Sequence, residues 1–487
     1  MSKLCLWKAI SFLCVFCALE AIGSPAQTFK TLVSFNGTDG ENPGNGSLVQ
    51  GLDGNFYGTT YAGGANKSCT TFGVVGCGTV FRITPCGELT TLHSFDGTDG
   101  ANPTAGLVLA TDGNFYGTTE FGGNNACSQG CGTVFKITPA GKLTTLHSFD
   151  GTDGEEPSSG LVQATDGNFY GTAYTGGTPV GAYVYGTIFK ITPGGKLTTL
   201  HSFDGTDGWG PEDGLVQATN GSFYGTTVGG GVYDIGTVFK MTPAGTLTTL
   251  HSFGGTDGSY PYAALVLATN GNFYGTTSTG GANTTCTLIA PGCGTVFEIT
   301  AEGKLTTLHS FDGTDGSYVI GGLVQATDGN FYGTTANGGV SSICTGGCGT
   351  IFEITPAGKL TSLHSFDGTA GSFANSGLAQ GTNGSFYGTT NQGGAGGSGT
   401  VFSLSVGLGP FVETLPTSGK VASSAVLLGN NLTGVTGVAF NGTAATFTVV
   451  SSSEIKTTVP QGATTGKVRV KTPHGTLTSN VNFRVTP

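Results

Sequence analysis

Charge is scarce in this chain: Asp, Glu, Lys and Arg together make up 10% of its 487 residues. That argues against a coiled coil and against a charged, disordered chain. Cations are scarcer than anions, 18 against 29, for a net charge of −11. The broad positive surface that nucleic acid or an anionic membrane requires is therefore not expected. Beyond the N-terminal segment no apolar run approaches the length of a membrane-spanning helix. Catalytic signatures are missing too: there is no H-E-x-x-H, no G-x-S-x-G, no phosphate-binding loop and nothing that implies a cofactor. What the chain has in quantity is glycine, 89 residues, with threonine and alternating apolar residues, the composition of strands and tight turns.

Residues 1–26 read as a secretory signal, with Lys3 and Lys8 ahead of a short apolar stretch and the small residues Ser24, Pro25 and Ala26 before a cut; cleavage after Gly23 is the alternative. An exported, secreted or envelope protein is expected.

Residues 27–406 are a repeat. FYGTT or FYGTA begins at Phe56, Phe115, Phe169, Phe223, Phe273, Phe331 and Phe386, seven copies spaced 50 to 59 residues apart. Each unit also carries an apolar segment such as GLVQAT, a GTVFKIT and a KLTTLHSF. All are short, β-branched or aromatic, and bounded by Asp-Gly-Asn or Pro-Ala-Gly turns. Four antiparallel strands repeated seven times predict an all-β, seven-bladed β-propeller. The phase of the repeat predicts its closure. The exported chain starts with a lone fourth strand, residues 28–35, and the repeat ends with a lone third strand, residues 399–405, so pairing of the two termini would complete the seventh blade.

Residues 407–487 follow a different strand pattern and hold 6 basic and 2 acidic side chains, whereas residues 27–406 hold 10 and 26. Leu415-Pro416-Thr417-Ser418-Gly419, Leu428-Gly429-Asn430-Asn431-Leu432, Val438-Ala439-Phe440-Asn441-Gly442, and Ser453-Glu454-Ile455 leading to Val459-Pro460 resemble an IPT/TIG domain, which implies an immunoglobulin-like β-sandwich acting as a spacer or protein contact. The repeats, through LHSFDGTDG, GLVQATDGNFYGTT and GTVFKITPAGKLTTL, resemble the GloVer tandem repeat of bacterial surface proteins. That resemblance implies an extracellular or envelope location and carries no activity.

Propeller topology sorts the loops onto two faces. Hairpin turns on one face barely vary, whereas connections on the other differ in length and composition, and variable loops on a regular scaffold are where binding sites sit. Cysteine pairs fall within these loops: Cys69 with Cys77, Cys127 with Cys131, Cys286 with Cys293, and Cys344 with Cys348. Local disulfides are expected, since the spacings do not match zinc ligands and no histidine lies between them. Cys86 is left over, as a free thiol or an intermolecular bridge.

Six histidines, His93, His147, His201, His251, His309 and His364, share one repeat position on the outermost strand. They are expected to be buried neutral imidazoles bonded to a neighbouring strand rather than a metal ring. The following DGTDG is expected to be a plain turn, with part of a calcium site as the alternative. The residues just after DGTDG break the sevenfold symmetry. Glu155, Glu156, Trp209, Glu212, Asp213, Tyr260, Tyr262 and Tyr318 form the candidate ligand face, suited to stacking on a glycan or gripping a basic peptide or other extracellular protein. The expected function is a binding or structural surface protein. A polysaccharide hydrolase or lyase is the alternative, although no catalytic residue stands out.

Overall fold

The structure, a computed structural model, describes residues 27–71, 73–124, 126–286 and 291–487. The expected signal segment lies outside the described residues. The architecture is all-β and propeller-like: the repeat forms successive antiparallel sheets, each with four repeat strands. In the second unit these are Val108–Leu109, Phe115–Thr119, Thr133–Ile137 and Leu143–Ser148. The lone N-terminal strand Thr28–Ser34 pairs antiparallel with Thr400–Ser405 and completes the last of these sheets.

Several recurring features explain why the segment FYGTT varies so little. All five residues are buried in each copy, because each sheet is covered on both faces. Its tyrosine stacks on the phenylalanine of the next sheet at centroid distances of 3.9–4.3 Å, from Tyr57 on Phe115 round to Tyr387 on Phe56. The last contact returns the series to its start, so the sheets form a closed ring with an apolar, aromatic joint at every boundary. Its glycine leaves room for the GTVF phenylalanine: a Cβ on Gly117 would lie 2.8 Å from Phe135 Cζ and from Leu107 Cδ2. Its threonines are satisfied in the dry interior by neighbouring segments: Thr119 Oγ1 lies 2.8 Å from Thr133 Oγ1 of the GTVF strand, and Thr118 Oγ1 donates to Ser159 O at 2.8 Å. The Asp-Gly-Asn turn is held by the same tyrosine, whose hydroxyl donates to the turn aspartate, as Tyr116 does to Asp112 at 2.9 Å.

The outer-strand histidines do not bond to a neighbouring strand. In five copies Nε2 lies 2.6–2.8 Å from Oδ2 of the second aspartate of DGTDG, His93 with Asp99 being the first and His309 with Asp315 the last. The first aspartate of that loop accepts from the amide and hydroxyl of the threonine two residues on, as Asp96 does from Thr98. Both carboxylates serve the turn, in line with the plain-turn reading. In the sixth copy the partner is replaced by Ala370, and His364 instead stacks on Phe29 of the closing strand, 3.8 Å between centroids. Its Nε2 is buried without a hydrogen-bond partner.

All four loop disulfides form within their own loops. Cys86 is also disulfide-bonded, which corrects the expectation of a free thiol. After the ring, a four-stranded and a five-stranded sheet enclose a separate core that includes Leu427, Phe440, Ile455, Val468 and Phe483. Among the described residues no helix is long and apolar enough to cross a membrane.

Candidate functional site

The segment after each DGTDG turns inward with one residue in the left-handed region: Asn42, Asn102, Glu156, Gly210, Tyr260, Tyr318 and Phe373, all at φ between +51° and +62°. Glycine and asparagine tolerate this; glutamate, tyrosine and phenylalanine adopt it at a cost of order 1 kcal/mol. Opposite it stands the residue that directly follows the FYGTT strand. Glu120 N donates to Asn102 O at 3.2 Å, and Tyr174 N donates to Glu156 O at 3.0 Å. Two rings of variable side chains thus face each other around the axis, where the sameness of the repeated sheets ends.

A cavity of about 160 Å³ lies on this axis, lined from six of the sheets by Asn45, Thr104, Ser158, Glu212, Asp213, Tyr262, Tyr318 and Ile320 among others. A second, more open one of about 310 Å³ shares Asn45 and Thr104 with it and reaches Tyr61 and Asn391. Glu212, Asp213, Tyr262 and Tyr318 of this lining belong to a wider cluster of acids and tyrosines. Among the acids, burial, reinforced by Glu156 and Glu212, pushes the Glu120 carboxyl up to about 8. Burial, with Asp213 and Glu156 nearby, pushes Glu212 up to about 7. Glu156 is raised by burial and by Glu155. Tyrosines join the cluster: Tyr61, Tyr174, Tyr262 and Tyr318 all have raised hydroxyls, burial being the main cause, with carboxylates of this group adding to it in each case. Tyr262 and Tyr318 meet edge to face at 6.4 Å. Burial is the main cause of each of these shifts and neighbouring carboxylates add to it, so the group favours neutral carboxyls over a cluster of free anions.

Five of the eight sequence-derived site residues, Glu156, Glu212, Asp213, Tyr262 and Tyr318, belong to this group. Asp213 has a structural role within it. Its two oxygens accept from the amides of Gly214 at 2.6 Å and Ala264 at 2.7 Å, tying adjacent sheets together. Glu155 sits one residue outside, in a bridge with Thr175. Trp209 is drawn toward the loop of its own sheet, where Nε1 donates to Asp234 Oδ1 at 2.7 Å. Tyr260 occupies the left-handed position of the fifth sheet and acts on Tyr262 only weakly. Glu120, Tyr61 and Tyr174 were missed by sequence reasoning. Each directly follows FYGTT or FYGTA, and the available signal was that this position changes from copy to copy while the five before it are constant but for Ala173.

A family model described as the Gloeobacter/Verrucomicrobia repeat matches residues 21–180, 68–289, 178–402 and 284–471. Among solved structures, a fungal alcohol oxidase of the AA5 family in complex with copper is 12% identical at a TM-score of 0.53, over 94% of this chain and 99% of that one. A putative 6-phosphogluconolactonase from Bacteroides fragilis is 19% identical at 0.46, over 69% and 88%. The first likeness shows the fold alone. The copper belongs to that enzyme: among the described residues here, no group of three or more His, Cys, Asp or Glu is placed to hold a metal ion. Comparison with curated proteins gives no match.

Proposed function

This chain belongs to the Gloeobacter/Verrucomicrobia repeat family, and on that premise we propose that it is an exported binding protein whose axial pocket takes a cationic, polyhydroxylated ligand. In this reading residues 1–26 are a signal peptide, residues 27–406 a seven-bladed β-propeller, and residues 407–487 an immunoglobulin-like module of the IPT/TIG type. The four loop disulfides support an oxidising location outside the cytosol. The observation that carries the function is the lining of the cavity: Glu212 faces it together with Tyr262 and Tyr318, and Glu120 and Glu156 lie close enough to interact with Glu212 electrostatically. An ammonium group would be attracted by these carboxyls, and the aromatic faces would pack on a sugar ring. Amino-sugar glycans fit both the carboxyls and the tyrosines; a basic peptide fits the carboxyls.

Screening the full chain against a glycan array and then titrating the hits into the Glu212→Gln variant tests this. The expected result is amine-dependent binding that weakens in the variant. Hits restricted to neutral or acidic glycans, or binding indifferent to Glu212, would refute it.

A second reading draws on one observation. A carboxyl pushed up to about 8 at Glu120 stays largely protonated at neutral pH beside Glu156, the condition of a general acid in glycoside cleavage. Release of new reducing ends from a bound polysaccharide, lost in Glu120→Gln, would favour the hydrolase or lyase.

A further inference from the structure

The C-terminal module is seated on the ring through three separate segments. Phe411, 3% exposed, donates its amide to Thr382 O at 3.0 Å. Ser453 Oγ donates to Leu52 O at 2.7 Å, and the Arg484 guanidinium donates to Thr219 O. Leu52, Thr219 and Thr382 lie in the hairpin turns of the first, fourth and last repeat sheets, which join the innermost strand of each sheet to the second. Such turns stand at the rim of the axial opening, on the face opposite the variable loops. In a ring of seven, the fourth member is three steps from both the first and the seventh, and so lies across the axis from the point where those two meet. A body that touches all three bridges the opening.

We propose that the C-terminal module closes the axial passage on this face, so that the pocket is blind and takes the end of a linear amino-sugar chain rather than its middle. The proposal rests on the pocket reading above and adds the direction from which the ligand enters. The cavity of about 160 Å³ has room for a terminal sugar unit, its amine toward Glu212 and its ring against Tyr262. The adjoining, more open cavity of about 310 Å³ takes the unit behind it and leads toward the variable loops. With the far mouth covered, a chain cannot thread through, and a polymer can present its interior to this pocket only by folding double.

Sedimentation of the full chain with short glucosamine oligomers and with long glucosamine polymer tests the proposal. The result expected is one protein per saccharide chain at both lengths, with affinity falling roughly tenfold or more in Glu212→Gln, as for loss of a charge-assisted contact. If long polymers recruit several proteins each and binding still depends on Glu212, the pocket stands but the blind end falls. If oligolysine binds in a Glu212-dependent way and glucosamine chains do not, the ligand class is wrong. Binding of neither, or binding indifferent to Glu212, overturns the pocket reading and this inference with it.

Discussion

Phe35 tests whether the ring is held shut by its own terminus. Its side chain is 0% exposed, meets Phe81 of the first sheet edge to face at 5.2 Å, and follows directly on the closing strand Thr28–Ser34. Phe95 is its counterpart one repeat later, also 0% exposed, with Phe135 at 5.3 Å, but it follows a strand that lies well inside the chain. Truncating a fully buried phenylalanine to alanine costs about 3 to 5 kcal/mol, of which an aromatic pair accounts for roughly 1. For a cooperative ring of roughly 380 residues the melting entropy is about 0.8 kcal/mol per kelvin, so the midpoint should fall by about 4 to 6 °C. If the terminus is an integral part of the last sheet, Phe35→Ala and Phe95→Ala should lower the calorimetric midpoint equally, in a single transition. A Phe35→Ala midpoint unchanged while Phe95→Ala falls, or a separate early transition in Phe35→Ala alone, would mean that the N-terminal strand is an appendage and the ring closes some other way.

Three further outcomes follow from individual contacts. Burial holds His364 below the ordinary imidazole range, so its contribution to stability is intact above the unfolded value near 6.5 and is lost as pH falls below it. Ala370→Asp, which restores the partner that the other five histidines have, should reduce this acid-side loss, read as the change in melting temperature between pH 5.5 and 8. Glu120 shows the opposite sign. A carboxyl pushed up to about 8 favours the fold while protonated, so stability should decline as pH rises from its unfolded value through 8, and Glu120→Gln should flatten that decline in a urea titration. Replacing Cys127 and Cys131 by serine removes a short loop closure worth about 2 kcal/mol in the chain-entropy account. Peptide mapping of the native protein without reductant should recover that pair within one loop, and a bridge from either residue to another sheet would contradict it.

The scaffold was legible in the sequence because its packing is local and repeated. FYGTT states the strand, the aromatic joint and the glycine that admits the next phenylalanine, and the unmatched segments at the two ends state how the circle closes. The site was legible only where it follows a recognisable marker. Glu156, Glu212, Tyr262 and Tyr318 come directly after DGTDG and were found. Glu120, Tyr61 and Tyr174 lie a full strand later and approach them only through pairing across the sheet, which linear order does not display. Trp209 shares the marker yet is drawn away by Asp234, a residue of a variable loop whose path no repeat specifies. The histidines were expected to be buried and bonded to a neighbouring strand; they are half-buried, the five paired side chains being 22–23% exposed, and they bond the turn that follows, which folds back on its own strand.

The central claim is that the axial group of carboxylates and tyrosines is the binding site, and a crystal structure of the full chain grown with a glucosamine trimer tests it most directly. Sugar density is expected in the axial cavity against Tyr262 and Tyr318, with an amine within hydrogen-bond distance of Glu212. Sugar seated instead beside Trp209 or on the C-terminal module, with the axial cavity empty, would contradict it.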